Sequence, residues 1–517
     1  MAIKILMLIV FFAVTIGIGV YCKKQATDVR GFVLGGRSVG PWLTAFAYGT
    51  SYFSAVIFIG YAGQFGWKYG VAATWIGLGN AFIGSLMAWA VLGRRTRIMT
   101  QHLDAATMPD FFGKRFDSQA LKTASAAIIF IFLIPYTASV YNGLSRLFGM
   151  AFNIDYSYCV IAMSVLTAIY VILGGYMATA VNDFIQGCIM LVGIAVIIAA
   201  VLNINGGFLG SLEAMANVTG STPAEQIPGI FNSFFGPDPV NLLGVVILTS
   251  LGTWGLPQMV GKFYAIKSEK DINIGTIVST VFALVVAGGC YFLGGFGRLF
   301  GDIIEYNPAT GIPVYDSIVP SMLSVLPDIL IAITVMLVLS ASMSTLSSLV
   351  LTSSSVLTLD LVNETVGKEM DEKKKVSTMR IFIVVFIVLS AVIALIQYKS
   401  SVTFIAQLMS ISWGALAGAF LGPFLYSLYW KKVTKAAVWA SFAVGVGLTT
   451  GNMILGFFGK AIIASPINCG AAAMILSLII VPAVSMITAK PSETRMEEVF
   501  SCYEEKVLVS KRNALED

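Results

Sequence analysis

Charge is what this chain is short of. Lys, Arg, Asp and Glu together make up 11 % of its 517 residues, against about 25 % in an ordinary soluble domain. Histidine occurs once and cysteine six times. The cysteines, at 22, 159, 188, 290, 469 and 502, show no paired spacing, which argues against a disulfide framework and a cysteine-built metal centre. His102 lies in a basic loop beside Asp104 and reads as a solvated loop residue. With no cluster of His, Cys or acids at depth, the usual catalytic groups are missing, and the chain reads as a non-enzyme. Its net charge of +5 leaves no basic footprint for a nucleic acid.

Apolar residues fill the gap. They make up 57 % of the chain, with 50 glycines and 34 phenylalanines, and the mean hydropathy is +0.85. This is the composition of an all-α polytopic protein whose solvent is the lipid bilayer. Runs of ~20 apolar residues, enough to span, fall near 3–21, 42–66, 69–92, 120–149, 157–175, 180–203, 239–265, 273–299, 326–359, 379–397, 402–428, 434–457 and 463–487. That makes about 13 transmembrane helices. Long runs rather than ~10-residue alternation argue against a barrel. The first run lacks an A-x-A-like cleavage site and reads as a retained helix.

The few charges are distributed unevenly. Segments 23–37, 94–122, 262–270, 368–380, 431–435 and 490–512 hold 26 of the 32 Lys and Arg, and 204–238 holds none. These basic segments are alternate loops plus the tail. The positive-inside rule then places the N-terminus outside and the C-terminus in the cytoplasm of a plasma-membrane protein. Termini on opposite sides require an odd number of spans.

Two spans carry features that a plain membrane helix does not need. TAFAYGTSYFSAVIFIGYAGQFG (44–66) clusters Gly49, Thr50, Ser51 and Ser54; ILTSLGTWGLPQMVGKFYA (247–265) places Gly252, Gly255 and Pro257 close together. Proline removes a helical hydrogen bond, and a broken helix in lipid is tolerated only where it lines a cavity or is buried in protein. Matching breaks in two halves point to a transporter's binding site. Each break opens a block of five spans, 42–203 and 239–428, and five is odd, so the second block is inverted. The plainer alternative is a pair of kinked packing helices.

A third feature is hydroxyls. SASMSTLSSLVLTSSS (340–355) puts Ala341, Ser344, Thr345 and Ser348 on one helical face, with Ser347 at its edge. Neutral hydroxyls with carbonyls freed at a helix break suit a sodium ion; a small-residue packing face reads equally well. Asp183, in GGYMATAVNDFIQG (174–187), has no cation near it in sequence. At membrane depth it is a functional candidate, or else an interfacial helix cap.

VLGGRSVGPW (33–42), GGYMATAVNDFIQG, GLPQMVGKFYAIKS (255–268) and ASMSTLSSLVLTSSS (341–355) together resemble the solute:sodium symporter family, from residue 1 to about 490. The resemblance implies a five-plus-five inverted-repeat, LeuT-like core (42–203 and 239–428), one helix before it (3–21), two after it (434–487) and a cytoplasmic tail (491–517). It implies sodium as coupling ion and no organic cofactor. The main sodium ligands would be the carbonyls of Thr50, Phe53 and Ala341 and the hydroxyls of Ser344 and Thr345. A second sodium, used by some members, would fall to Asp183, Ser344, Ser347 and Ser348. For the solute, the implied lining is Tyr48, Tyr52, Val56, Thr249, Thr253, Trp254 and Gln407. Tyr52, Val56 and Ile57 replace the polar residues of sugar carriers. Tyr52, Val56, Thr249 and Thr253 differ from the proline pattern, while NDFIQGCIMLVG and GLPQ are similar to the pantothenate and monocarboxylate branches. The expectation is import of a small carboxylate-bearing solute (a monocarboxylate, pantothenate-like, or an amino acid such as proline) with sodium. A sodium-permeable channel, a membrane enzyme and a sensor are the competing classes; there is no ring-forming filter motif, and the tail is too short for a kinase module.

Overall fold

The computed structural model describes residues 2–308, 310–363, 370–400 and 405–513. Its principal helices are α1 (Ala2–Cys22), α2 (Pro41–Tyr52), α3 (Gln119–Phe152), α4 (Tyr156–Ile204), α5 (Pro239–Gly255), α6 (Pro257–Ala265), α7 (Glu269–Gly294), α8 (Asp328–Val356), α9 (Glu372–Ser400), α10 (Ile405–Tyr429), α11 (Lys435–Phe457), α12 (Pro466–Ile487) and α13 (Glu493–Asn513). α8 is buried along most of its length, flanked by α3, α4 and α9. α10 packs on α11 and α12.

Ten described helices are long and apolar enough to cross a membrane, or 11 with the bent pair α5–α6 taken as one. That is fewer than 13, because two of the ten are too long for one crossing. Residues Val56–His102 and α4 run 47 and 49 residues, about 70 Å if straight, where the hydrocarbon core is ~30 Å. Both fold back at a glycine with positive φ, a conformation that costs glycine little. In α4 the glycine is Gly175 (φ 56°, ψ −147°). Before it, Thr167 reaches Met343; after it, Gly193 lies against Leu337. A straight helix would hold residues 167 and 193 ~39 Å apart. The other is Gly70 (φ 61°). Phe46 stacks near Phe282 and Gly66 abuts Gly294, and then Ser85 returns to Ser279.

The basic segments meet at one end of the bundle. Arg30 pairs with Asp104 at 3.0 Å, the Arg97 guanidinium donates to the Ile266 carbonyl, and Glu372 accepts from the Val29 amide. Lys435 donates to the Asp117 carbonyl and Arg495 to that of Lys114. The tail is therefore a helix, α13, docked on the basic end, where the Tyr503 ring also lies under Arg95. His102 is exposed there and touches the Glu498 carbonyl oxygen.

Candidate functional site

The first break follows α2. Phe53 is extended (φ −89°, ψ 107°), and the helix resumes as a wide π-type turn over Val56–Tyr61. The amide of Ile57, which a continuous helix would give to Phe53, bonds Ser54 instead, so the Phe53 carbonyl is free of its usual partner. The orphaned amides beyond the break are met locally. Ala55 donates to the Ser342 hydroxyl at 3.1 Å and Val56 to the Ser54 hydroxyl at 3.2 Å, as in an N-cap. The second break is at Leu256 (φ −80°, ψ 124°), with Pro257 starting α6 and a bend of 45°.

α8 crosses the first break with its hydroxyl face. The Ser344 hydroxyl donates to the carbonyls of Thr50 and Ala341, both at 3.0 Å. Thr345 Oγ1 lies 3.3 Å from the Thr50 carbonyl oxygen, 3.4 Å from that of Phe53 and 3.1 Å from that of Ala341. All five groups expected for the main ion thus share one buried cluster. Oxygens held ~2.3–2.6 Å from a hard cation of about this size stand about 3.4 Å apart, so little outward movement would open the cluster around an ion.

One turn further along α8 the chemistry changes. Ser348 shares a hydrogen bond with Ser51 at 2.8 Å and accepts from Lys262 Nζ at 3.0 Å. That ammonium lies 3.6 Å from Asp183 Oδ2 and 5.2 Å from the centre of the Tyr176 ring. Asp183, Lys262 and Ser348 are all buried. Asp183, isolated from cations in sequence, therefore has one in space, delivered by α6. Ser347 donates back to the Ser344 carbonyl at 2.9 Å. A cleft lined by Thr107, Met108, Tyr176, Gln258 and Thr352 leads from the basic end to Lys262 and Ser348.

The residues expected to line a solute pocket divide into four groups. Tyr48, Thr253 and Trp254 converge on one wide turn, Phe82–Met87. Tyr48 and Thr253 donate to the Gly84 carbonyl at 2.8 and 2.9 Å, and Trp254 to that of Ile83 at 3.0 Å. Thr249 donates to Val245 in its own helix. Tyr52 and Val56 are buried beside the break. Gln407 lies apart, lining a cavity of about 400 Å³ with Thr449, Asn452 and Cys469. The α10 residue that reaches Tyr52 is Trp413, with ring centres 6.4 Å apart. It sits six positions on and about 240° around the helix. Beside it stand Tyr136, 5.8 Å from Trp413, and Asn80, whose carbonyl accepts from Tyr52. The indole nitrogen of Trp413, the Tyr136 hydroxyl and the Asn80 side-chain nitrogen are buried without a hydrogen-bond partner among the described residues. Polar tips inside long apolar runs are the sequence signal for such groups.

Broken helices at two matching places, a buried hydroxyl helix crossing one of them, and a helical bundle long enough to span describe a secondary transporter of the LeuT-like class. The solved structure of a Na+-coupled sialic acid symporter, substrate-bound and outward-open, has the same fold, with a TM-score of 0.75 over 95 % of this chain and 99 % of that one at 16 % identity. The sodium:solute symporter family matches residues 32–445, and the chain belongs to that family. It is 28 % identical over 510 residues to the osmoregulated proline transporter OpuE of Bacillus subtilis, covering 94 % of each chain. It is 30 % identical over 443 residues to a sodium/proline symporter of Staphylococcus aureus, covering 83 % of this chain and 82 % of the relative. The chain is thus a multi-pass, sodium-coupled solute symporter.

Proposed function

We propose that the chain imports a small carboxylate-bearing solute together with sodium bound by the carbonyls of Thr50, Phe53 and Ala341 and the hydroxyls of Ser344 and Thr345. The observation that carries this reading is the meeting of those five oxygens, drawn from two segments nearly 300 residues apart, at 3.0 to 3.4 Å. Sodium there ties the broken helix to α8 and favours the solute-ready state. Solute binding permits closure, and loss of the ion loosens Ser344 and Thr345 from the break. The coupling is reciprocal: each ligand strengthens the other by the same factor.

The solute sits between Tyr52 and Trp413. The unspent groups there, on Asn80, Tyr136 and Trp413, can all donate, which suits a carboxylate. Tyr48, Thr253 and Trp254 hold the wall through Gly84 and Ile83, and Gln407 plays no part. Proline heads the panel of candidate solutes because relatives are named for it, followed by pantothenate and short monocarboxylates. Uptake of that labelled panel into proteoliposomes under an inward sodium gradient tests the reading; uptake that survives replacement of sodium by choline overturns it and favours an uncoupled carrier.

The core is two inverted five-helix blocks, 42–203 and 239–428, within a thirteen-helix chain whose basic end is cytoplasmic. The gathering of basic segments at one end supports this orientation. Cysteines replacing Glu213 and Glu305 should react with impermeant maleimide in intact cells, and those replacing Lys373 and Glu493 should not; the reverse pattern inverts the topology.

A further inference from the structure

We infer that the ammonium group of Lys262 takes the place of a second sodium ion, so that the chain binds one sodium where the Asp183–Ser348 cluster would otherwise admit another. The inference rests on the main-site reading above. Three observations point to it. Lys262 Nζ donates to Ser348 at 3.0 Å, on the oxygen face that continues the main cluster by one turn. It lies 3.6 Å from Asp183 Oδ2, beyond hydrogen-bond distance. Both Asp183 oxygens are buried with no hydrogen-bond partner among the described residues. The carboxylate therefore faces Lys262 across an ion pair, with oxygens that could still ligate a cation.

Charge accounting explains the exclusion. Asp183 and Lys262 sum to zero. A sodium ion added between them would leave one uncompensated positive charge in a buried site. Two unit charges ~4 Å apart in a partly screened protein setting repel strongly enough to weaken binding on the order of a thousandfold. Removing the ammonium reverses this, leaving Asp183 with Ser348 and its partner Ser51, all oxygen ligands suited to a hard cation. Lys262 also lines the cleft that reaches Ser348 on the hydroxyl face.

Equilibrium binding of radiolabelled sodium to the purified full-length chain, with choline as the balancing cation, tests the inference without knowledge of the solute. The wild type should bind one sodium per chain at saturation. Lys262→Met should bind two, and its melting temperature should rise with sodium over choline more steeply than the wild type's. Should Lys262→Met fail to give monodisperse protein, Lys262→Gln, which keeps a donor for Ser348, takes its place with the same expected count. Two ions in the wild type, or one in a folded Lys262 variant, overturns the inference and leaves the main site standing. No sodium bound by the folded wild type overturns the main-site reading itself.

Discussion

Two clusters one turn apart on α8 are built in opposite ways. Around Ser344 and Thr345 every group is a neutral oxygen, and three of the five are backbone carbonyls. Around Ser348 a buried acid and a buried base, Asp183 and Lys262, face each other at 3.6 Å. Neutral oxygens can shed an ion, because hydroxyls among them can hydrogen-bond the carbonyls in its place. A charged pair cannot lose one member so easily, because the other is left buried and uncompensated. On the proposed reading the first cluster suits release of an ion and the second suits permanence.

The sharpest way to break this contrast is Asp183→Asn. It keeps the shape and strands the Lys262 charge, which should cost about 3–5 kcal/mol of stability, read by denaturation of the purified protein. Asp183→Asn/Lys262→Met removes both charges and should recover most of the loss. A single Asp183→Asn variant as stable as the parent would mean that the pair is not a charged unit.

A smaller effect belongs to the neutral cluster. Thr345→Val keeps the shape and removes the oxygen; it and Ser344→Ala should each raise the half-saturating sodium concentration by about tenfold or more, ~1.4 kcal/mol per decade. Thr345→Ser should be tolerated, and a wild-type sodium titration for Thr345→Val would reduce the hydroxyl to packing. The smallest change is expected from Tyr48→Phe. It removes a buried hydrogen bond to Gly84, worth about 1 kcal/mol of stability, and should leave the half-saturating sodium concentration unchanged.

Much of the main cluster was readable from spacing. Ala341, Ser344 and Thr345 share a face by helical periodicity, and hydroxyl-rich TSYFS with glycine before it marks a break. The pairing of the two segments came only through family resemblance. The Asp183–Lys262 pair was not readable, because the residues are 79 positions apart and meet only through the bend at Leu256. The chain reversals at Gly70 and Gly175 agree with hydropathy, which divided both long runs. Gln407 lies apart from Tyr52 for a simple reason: at the start of α10 nothing in the local pattern says which face turns to Tyr52, and Trp413 does so instead.

Lys262 also bears on how far uphill the chain can pump. Moving one elementary charge through a 100 mV membrane potential does about 2.3 kcal/mol of electrical work, enough by itself to concentrate an uncharged solute roughly fifty-fold. Two mobile ions would square that factor. A cation on a side chain returns with the protein on every cycle and carries no net current. On the one-sodium reading, a single ammonium group sets the power to which voltage and sodium gradient enter the final ratio of solute inside to solute outside.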